Sequence, residues 1–300
     1  MRTIIEIGII RLVAAYLRHT PIEYGRWRLI NLALPLLRKL GSMMGSKVIT
    51  TRHGFRFHCR LDDWLGQYVW LTGSYERMTS LVMTHLMRSG DIAMDVGANV
   101  GYFSLLLSQK AGPEGHVYAF EPVPSVRAEL DQNINLNKLS NITVIQAAVT
   151  DQDGELTIYE GPSDHRGISS LRPLHNASQT LLIRGMRLDN HFLKLPSLRL
   201  IKIDVEGAEQ LALSGMAEII ARHHPYIILE FTDSYLSNFG GSASSLESWL
   251  LERDYSLYRI TNEGLLALDV KKQELPFQYN VLCIPCKTLP SELLSYCLKP

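Results

Sequence analysis

From Ile92 onward the chain alternates short apolar runs with longer segments whose apolar residues recur at helical spacing. The runs are "IAMDV" (92–96), "HVYAFE" (116–121), "ITVIQAAV" (142–149), "LRLIKIDV" (198–205), "YIILEF" (226–231), "YSLYRI" (255–260) and "YNVLCI" (279–284). Several are continuously apolar instead of alternating, as strands are when helices cover both faces of their sheet. Helical spacing marks 100–111, 124–138, 206–222 and 243–253 between them. This order predicts an α/β fold with a doubly wound, mostly parallel sheet and right-handed crossovers. Upstream, "GFRFHCR" (54–60) alternates like a short strand. "DDWLGQYVWL" and "ERMTSLVMTHLM" carry helical spacing, with Asp62 and Ser74 as the expected caps. Residues 151–197 break the rhythm. They contain Pro162, Pro173 and Pro196 and no helical pattern, so a long loop of the lid or binding kind is expected there.

Composition adds one asymmetry. The net charge is zero over 300 residues, yet residues 1–50 carry eight Lys/Arg against Glu6 and Glu23, a net +6 that the rest of the chain balances. The same segment holds "IIEIGIIRLVAAYL" and "LINLALPLL", both shorter than the ~18 apolar residues of a spanning helix. Glu6, Arg11 and Pro35 interrupt them, and no signal-peptide cleavage pattern follows. The expectation is a helical arm packed on the main domain or on a second subunit. Peripheral contact with a membrane surface or a membrane-bound complex is the alternative. Balanced charge and the lack of a basic, aromatic-laced module argue against a nucleic-acid partner. Cys59, Cys283, Cys286 and Cys297 are scattered, and the one CxxC lies in a strand-like run where i and i+3 face opposite ways. That usage fits a reducing, cytoplasmic compartment, with the arm leaving peripheral membrane association open.

In a doubly wound sheet a ligand sits beyond the C-terminal strand ends where the strand order reverses. The stretch "DIAMDVGANVGYFSLLLSQ" (91–109) therefore matters most, with Glu121 twenty residues after Gly101. Glu121 can accept both hydroxyls of a ribose, which fits NAD and S-adenosylmethionine equally. The loop separates them. A dinucleotide fingerprint counted from Gly97 needs glycines where Asn99 and Tyr102 stand. Asp95 at the loop would repel a pyrophosphate by about 1 kcal/mol or more, and would attract a sulfonium and an α-ammonium. With no basic residue from Asp91 to Gln109, the pocket is expected to take S-adenosylmethionine.

"DVGANVGYFSLLLS", "VYAFEPVPS", "NLN", "IKIDVEGAE" and "IILEF", with "LTGSYE" and "RGISSL", resemble the FkbM family of S-adenosylmethionine-dependent methyltransferases. The resemblance covers roughly residues 60–285 and leaves residues 1–50 outside. It implies a class I methyltransferase, a Rossmann-like sheet of seven strands with the last antiparallel. It also implies O-methylation of a hydroxyl on a sugar, glycan or secondary metabolite. By position, Asp95, Gly97, Asn99 and Gly101 would form the cofactor loop. Glu121 would hold the ribose, Ala147 and Ala148 would flank the adenine, and Glu76 would close over the methionine end. The chain then divides into a basic, apolar helical arm (1–50), a strand and helices capping the cofactor site (51–90), a methyltransferase catalytic domain (91–287) with its long loop 151–197, and a C-terminal tail (288–300).

An aliphatic hydroxyl is a poor nucleophile, so a base or a metal is expected beside it. Asp204 and Glu206, two apart at a strand end, are the expected catalytic pair, pointing to one side at the ligand edge. Glu209 follows in the first helical turn and Glu230 ends the next strand. Asp204, Glu206 and Glu230 could hold a divalent ion, or one could act as base. His165, in "SDHRGISSL", is the third candidate base, with Asp164, Arg166, Ser169 and Ser170 around the acceptor. Two other readings share the cofactor half: an RNA methyltransferase, and a non-catalytic cofactor-binding scaffold of a membrane-associated biosynthetic complex.

Overall fold

The structure is a computed structural model that describes residues 2–20, 25–161, 169–173, 177–285 and 289–298. Helices α1 (Arg2–His19) and α2 (Arg26–Met44) open the chain, followed by a hairpin of β1 (Lys47–Thr50) and β2 (Arg56–Cys59). Next come α3 (Trp64–Thr72) and α4 (Arg77–Leu86). The cap of α3 is Asp63, whose side chain accepts from the Leu65 and Gly66 amides, whereas Asp62 pairs with Arg60 at 2.7 Å. Glu76, not Ser74, occupies the N-cap position of α4, at a left-handed φ of 38°.

The main unit runs β3 (Ile92–Val96), α5 (Tyr102–Ala111), β4 (His116–Phe120), α6 (Pro124–Asn137) and β5 (Ile142–Ile145). A side sheet follows: β6 (Ala148–Val149), β7 (Gly154–Glu160), β8 (Ser169–Ser170) and β9 (Gln179–Met186), then the short α7 (Asp189–Phe192). The chain returns through β10 (Leu200–Ile203), α8 (Glu209–Gly215), α9 (Ala217–His223), β11 (Tyr226–Phe231), α10 (Asp233–Ser237), α11 (Ala243–Leu251), β12 (Tyr255–Ile260), β13 (Leu265–Ala267) and β14 (Tyr279–Pro285).

The large sheet has the order β13-β12-β14-β11-β10-β3-β4-β5. The strands from β11 to β5 are parallel, and β14 runs antiparallel to both neighbours. All seven expected strands are present with the last one reversed, and short β13 adds an eighth at the edge. Their apolar continuity has the expected cause. Ala93, Val117, Leu200 and Ile228 face one buried layer, while Met94, Val96, Ile201 and Ile227 face the other. The order reverses between β3 and β10, which places a crevice at their C-terminal ends. There the backbones nearly touch: a Cβ on Gly97 (φ 80°) would lie 1.9 Å from the Asp204 carbonyl oxygen, so no other residue fits.

One expectation changes. Residues 151–197 do not form one long loop. β7 and β9 pair antiparallel over seven residues and join β6 and β8 in a four-stranded sheet. Their outer face is solvated, with Leu182 75% exposed, so the segment lacks the apolar weight of the central strands. Among the described residues 289–298, the 3-10 helix Ser291–Tyr296 buries Leu293 completely and Leu265 bridges to Cys297, so this stretch is packed. The arm is packed too. Ile10, Ala14, Leu17, Leu37 and Leu40 are buried, α1 and α2 rest on each other and on α3, and Arg52 donates to the Leu17 and Thr20 carbonyls at the end of α1.

Candidate active site

A cavity of about 280 Å³ opens at the predicted crevice. Its two ends differ chemically. One is apolar, lined by Phe120, Val126, Ala147, Ala148, Val149 and Ile158. The other is acidic and aromatic, with Asp204, Glu206, Glu230, Tyr75, Tyr235 and Gln278. Gly97, Asn99 and Glu121 lie on its wall as well. Asp63, Trp64, Leu65 and Tyr75 bring the 51–90 segment over the same space, and Ser169 and Leu171 bring the side sheet.

Glu121 holds the glycine loop in place. Its Oε2 accepts from the Asn99 amide at 3.0 Å and its Oε1 from the Val123 amide at 2.9 Å. Each oxygen keeps a second lone pair for a ligand hydroxyl. Burial pushes this carboxyl up to about 7 against those two amides. Asn99 itself adopts a left-handed φ of 50°, as asparagine tolerates.

Asp95 lies elsewhere than expected. It is 1% exposed, does not line the cavity, and accepts from the Ser104 hydroxyl at 2.5 Å beneath the loop. Burial raises it to about 6. Its field reaches the crevice, but its bond is to the first turns of α5. Gly101, the N-cap of α5 at φ 91°, also stays behind the wall, against Leu130.

The acidic end is built by strand register. Lys202 of β10 stands opposite Asp95 of β3 and Ile228 of β11, so their side chains share one sheet face. Two residues further on, Asp204 and Glu230 emerge on that face at the strand ends. Lys202 is fully buried, its Nζ 3.0 Å from Asp204 Oδ2 and 5.4 Å from the Phe103 ring centroid. Burial alone would lower its pKa, but Asp204, Glu76 and Glu230 outweigh that and raise it. Glu76 arrives from the cap of α4, held by Asn280 Nδ2 at 2.7 Å. Carboxylate oxygens of Glu76, Asp204 and Glu230 lie within 4.8 Å of one another, so among the described residues the set able to hold a cation contains Glu76 in place of Glu206. Glu76 does not itself line the cavity.

Glu206 reaches the cavity by another route. β10 ends at Ile203, so the two-residue strand periodicity no longer applies. Glu206 sits in the following turn at φ 50°. Such a backbone is strained for a residue with a Cβ and is commonest at functional sites. Its Oε2 is buried without a hydrogen-bond partner. Burial, then the charges of Asp204, Glu230 and Glu209, hold it well above the usual carboxylate range. Glu209 closes the same turn, its Oε1 accepting from the Val205 and Gly207 amides at 3.2 Å each. His165, Asp164 and Arg166 lie outside the described residues. Ser170 is buried in β8 and does not line the cavity.

The raised carboxyls link stability to pH. Glu230 moves from 4.5 to about 8, chiefly through burial and then the charge of Asp204. The folded state thus holds a proton that the unfolded chain releases. This stabilisation is full below pH 4.5 and is lost as pH rises through about 8. Glu230→Gln keeps the shape without the charge. It is expected to gain on the order of 1–2 kcal/mol more stability over wild type at pH 8.5 than at pH 6. Denaturant melts at the two pH values check this, and an equal gain at both would contradict it.

Lys202, Tyr75, Trp64 and Gln278 are not among the residues expected from sequence. For Lys202 there was a signal: a charge set between Ile201 and Ile203 in the middle of the strand-like "LRLIKIDV".

A family model described as the methyltransferase FkbM domain matches residues 95–257, just over half the chain. Methyltransferase 1 of Beauveria bassiana is 25% identical over 175 residues, covering 52% of this chain and 70% of its own. The 31-O-demethyl-FK506 methyltransferase FkbM of Streptomyces tacrolimicus is 28% identical over 166 residues, 44% of this chain and 62% of its own. The hexuronic acid methyltransferase AglP of Haloferax volcanii is 27% identical over 131 residues, 43% and 52% respectively. The crystal structure of methyltransferase FkbM from Methylobacillus flagellatus KT aligns over 93% of this chain and 58% of its own, with TM-score 0.43 and 16% identity.

Proposed function

Because the chain belongs to the methyltransferase FkbM family, we propose that it moves a methyl group from S-adenosylmethionine to a hydroxyl of a sugar, glycan or secondary metabolite. The observation that carries this is the two-ended cavity with Glu121 between its ends. The apolar end suits an adenine against Ala147 and Ala148. Glu121 suits the ribose hydroxyls. The acidic end suits the positive sulfonium and ammonium, whose charge favours the ionised forms of its raised carboxyls. The relatives named as hexuronic acid and 31-O-demethyl-FK506 methyltransferases support an acceptor of this kind.

In the transfer, a lone pair of the acceptor oxygen attacks the methyl carbon while the C–S bond breaks and its electrons return to sulfur. Holding oxygen and carbon about 3 Å apart in line supplies several kcal/mol. The hydroxyl proton goes to Glu206, which lines the cavity with its Oε2 unpartnered and whose proton affinity is raised by burial. The neighbouring sulfonium favours its ionised form before the step. Asp204, anchored on Lys202, accepts a hydrogen bond from a neighbouring hydroxyl of the acceptor and so orients it. Lys202 supplies the local positive charge that a divalent ion on Glu76, Asp204 and Glu230 would otherwise bring.

Tritiated-methyl transfer to pools of glycans, small hydroxylated metabolites and RNA tests the reading. Label is expected in a glycan or metabolite, with kcat changed less than about twofold by a chelator. Label in RNA alone, or cofactor binding without turnover on any pool, would overturn it. A chelator loss above tenfold that magnesium restores would put a metal where Lys202 is assigned.

A further inference from the structure

The buried side of α1 is directed at the domain, yet its opposite side is as apolar as a core. Ile4 is 75% exposed, Leu12 73%, Ile5 56%, Ile9 51% and Tyr16 42%. At 100° per residue these positions and Gly8 occupy one continuous face. Among the exposed described positions of α1 only Arg11 and His19 are polar, and neither is acidic. The exposed side of α2, the helix packed beside α1, has interfacial character. It presents Trp27, Leu32 and Met43 with the cations Arg28, Arg38 and Lys39, again with no acid. A soluble surface this apolar in one contiguous strip marks a contact site. No helix in the described residues is long and apolar enough to cross a bilayer.

Charge decides between occupants. An isologous pairing with a second copy would bring the +6 segment against itself and crowd Arg28, Arg38 and Lys39 with their own equivalents. A bilayer with acidic headgroups answers both features: acyl chains take the isoleucines and Leu12, Trp27 settles at the interface, and the cations meet the headgroups.

We propose that α1 and the outer face of α2 lie flat on an anionic phospholipid membrane and hold the protein there as a peripheral attachment. This inference is independent of the reaction, because none of these residues lines the cavity.

Flotation of the full chain with vesicles tests it, using phosphatidylglycerol in phosphatidylcholine against phosphatidylcholine alone. At least tenfold tighter binding to the anionic vesicles is expected, weakening as salt rises. Ile5→Glu with Leu12→Glu is expected to abolish flotation, and Arg38→Glu with Lys39→Glu to remove the lipid preference. Thermal melting and S-adenosylmethionine titration of both variants are expected to match wild type, since the altered side chains are exposed. Failure of the wild type to float on either vesicle would overturn the proposal. So would unchanged flotation of the Ile5/Leu12 variant, or a stable dimer in light scattering that this variant converts to monomers without any vesicle binding.

Discussion

Glu121→Ala is expected to weaken S-adenosylmethionine binding by at least about 100-fold while the protein stays folded. A carboxylate that accepts both ribose hydroxyls contributes about 1.5–3 kcal/mol per charge-assisted bond, and two such bonds correspond to that factor or more. The substitution has a second effect. The Asn99 and Val123 amides lose their acceptors, so the loop that shapes the cavity wall loses its tether. Glu121→Gln keeps one acceptor oxygen and is expected to fall between wild type and alanine. The same carboxyl gives binding a pH dependence. It sits at about 7 in the unliganded protein, and bound ribose hydroxyls favour its anion. Affinity should therefore rise from pH 6 to pH 8 in wild type and stay flat in Glu121→Gln. Isothermal titration at the two pH values reads both effects. An alanine variant within threefold of wild type would remove Glu121 from the cofactor site.

Glu206→Gln is expected to lower kcat by about 10²–10⁴ with the cofactor dissociation constant unchanged, the range lost when a positioned base is removed. Glutamine preserves the turn at φ 50° and its contacts but cannot take the proton. Asp204→Asn is expected to leave cofactor binding largely intact and to stop turnover by misplacing the acceptor. Its partner Lys202 would then be a buried ammonium short of one counter-charge, so a loss of stability accompanies it. The two variants differ in their pH–rate profiles. Glutamine at 206 should erase the limb set by the base, whereas asparagine at 204 should lower the whole curve. Normal turnover in either would remove that residue from the catalytic assignment.

The central sheet was legible because its chemistry is uniform. A strand buried on both faces has to be apolar throughout, and helices between such strands have to repeat at 3.6 residues. Glycine legibility was of the same kind, since Gly97 stands where the Asp204 carbonyl leaves no room for a Cβ. The side sheet was obscured because β7 and β9 are half solvated and flanked by Pro162 and Pro173, so their polar residues and prolines looked like loop. Asp95 was placed by its distance along the chain, which cannot say that Ser104 turns its carboxylate under the loop. The acidic end needed register. Asp204 meets Glu230 because β10 and β11 pair in step, and it meets Glu76 because Asn280 of β14 holds that side chain. Neither relation is local in sequence. Glu206 lines the cavity, but not by the strand periodicity that singled it out, as the strand has ended before it.

The most direct measurement is a crystal structure of the protein soaked with S-adenosylhomocysteine and NAD together. The nucleoside of the former is expected in the cavity, its adenine against Ala147 and Ala148, its ribose hydroxyls on Glu121 and its sulfur turned toward Asp204 and Glu206. A nicotinamide dinucleotide in that space, or a thioether facing away from those two acids, would contradict the account.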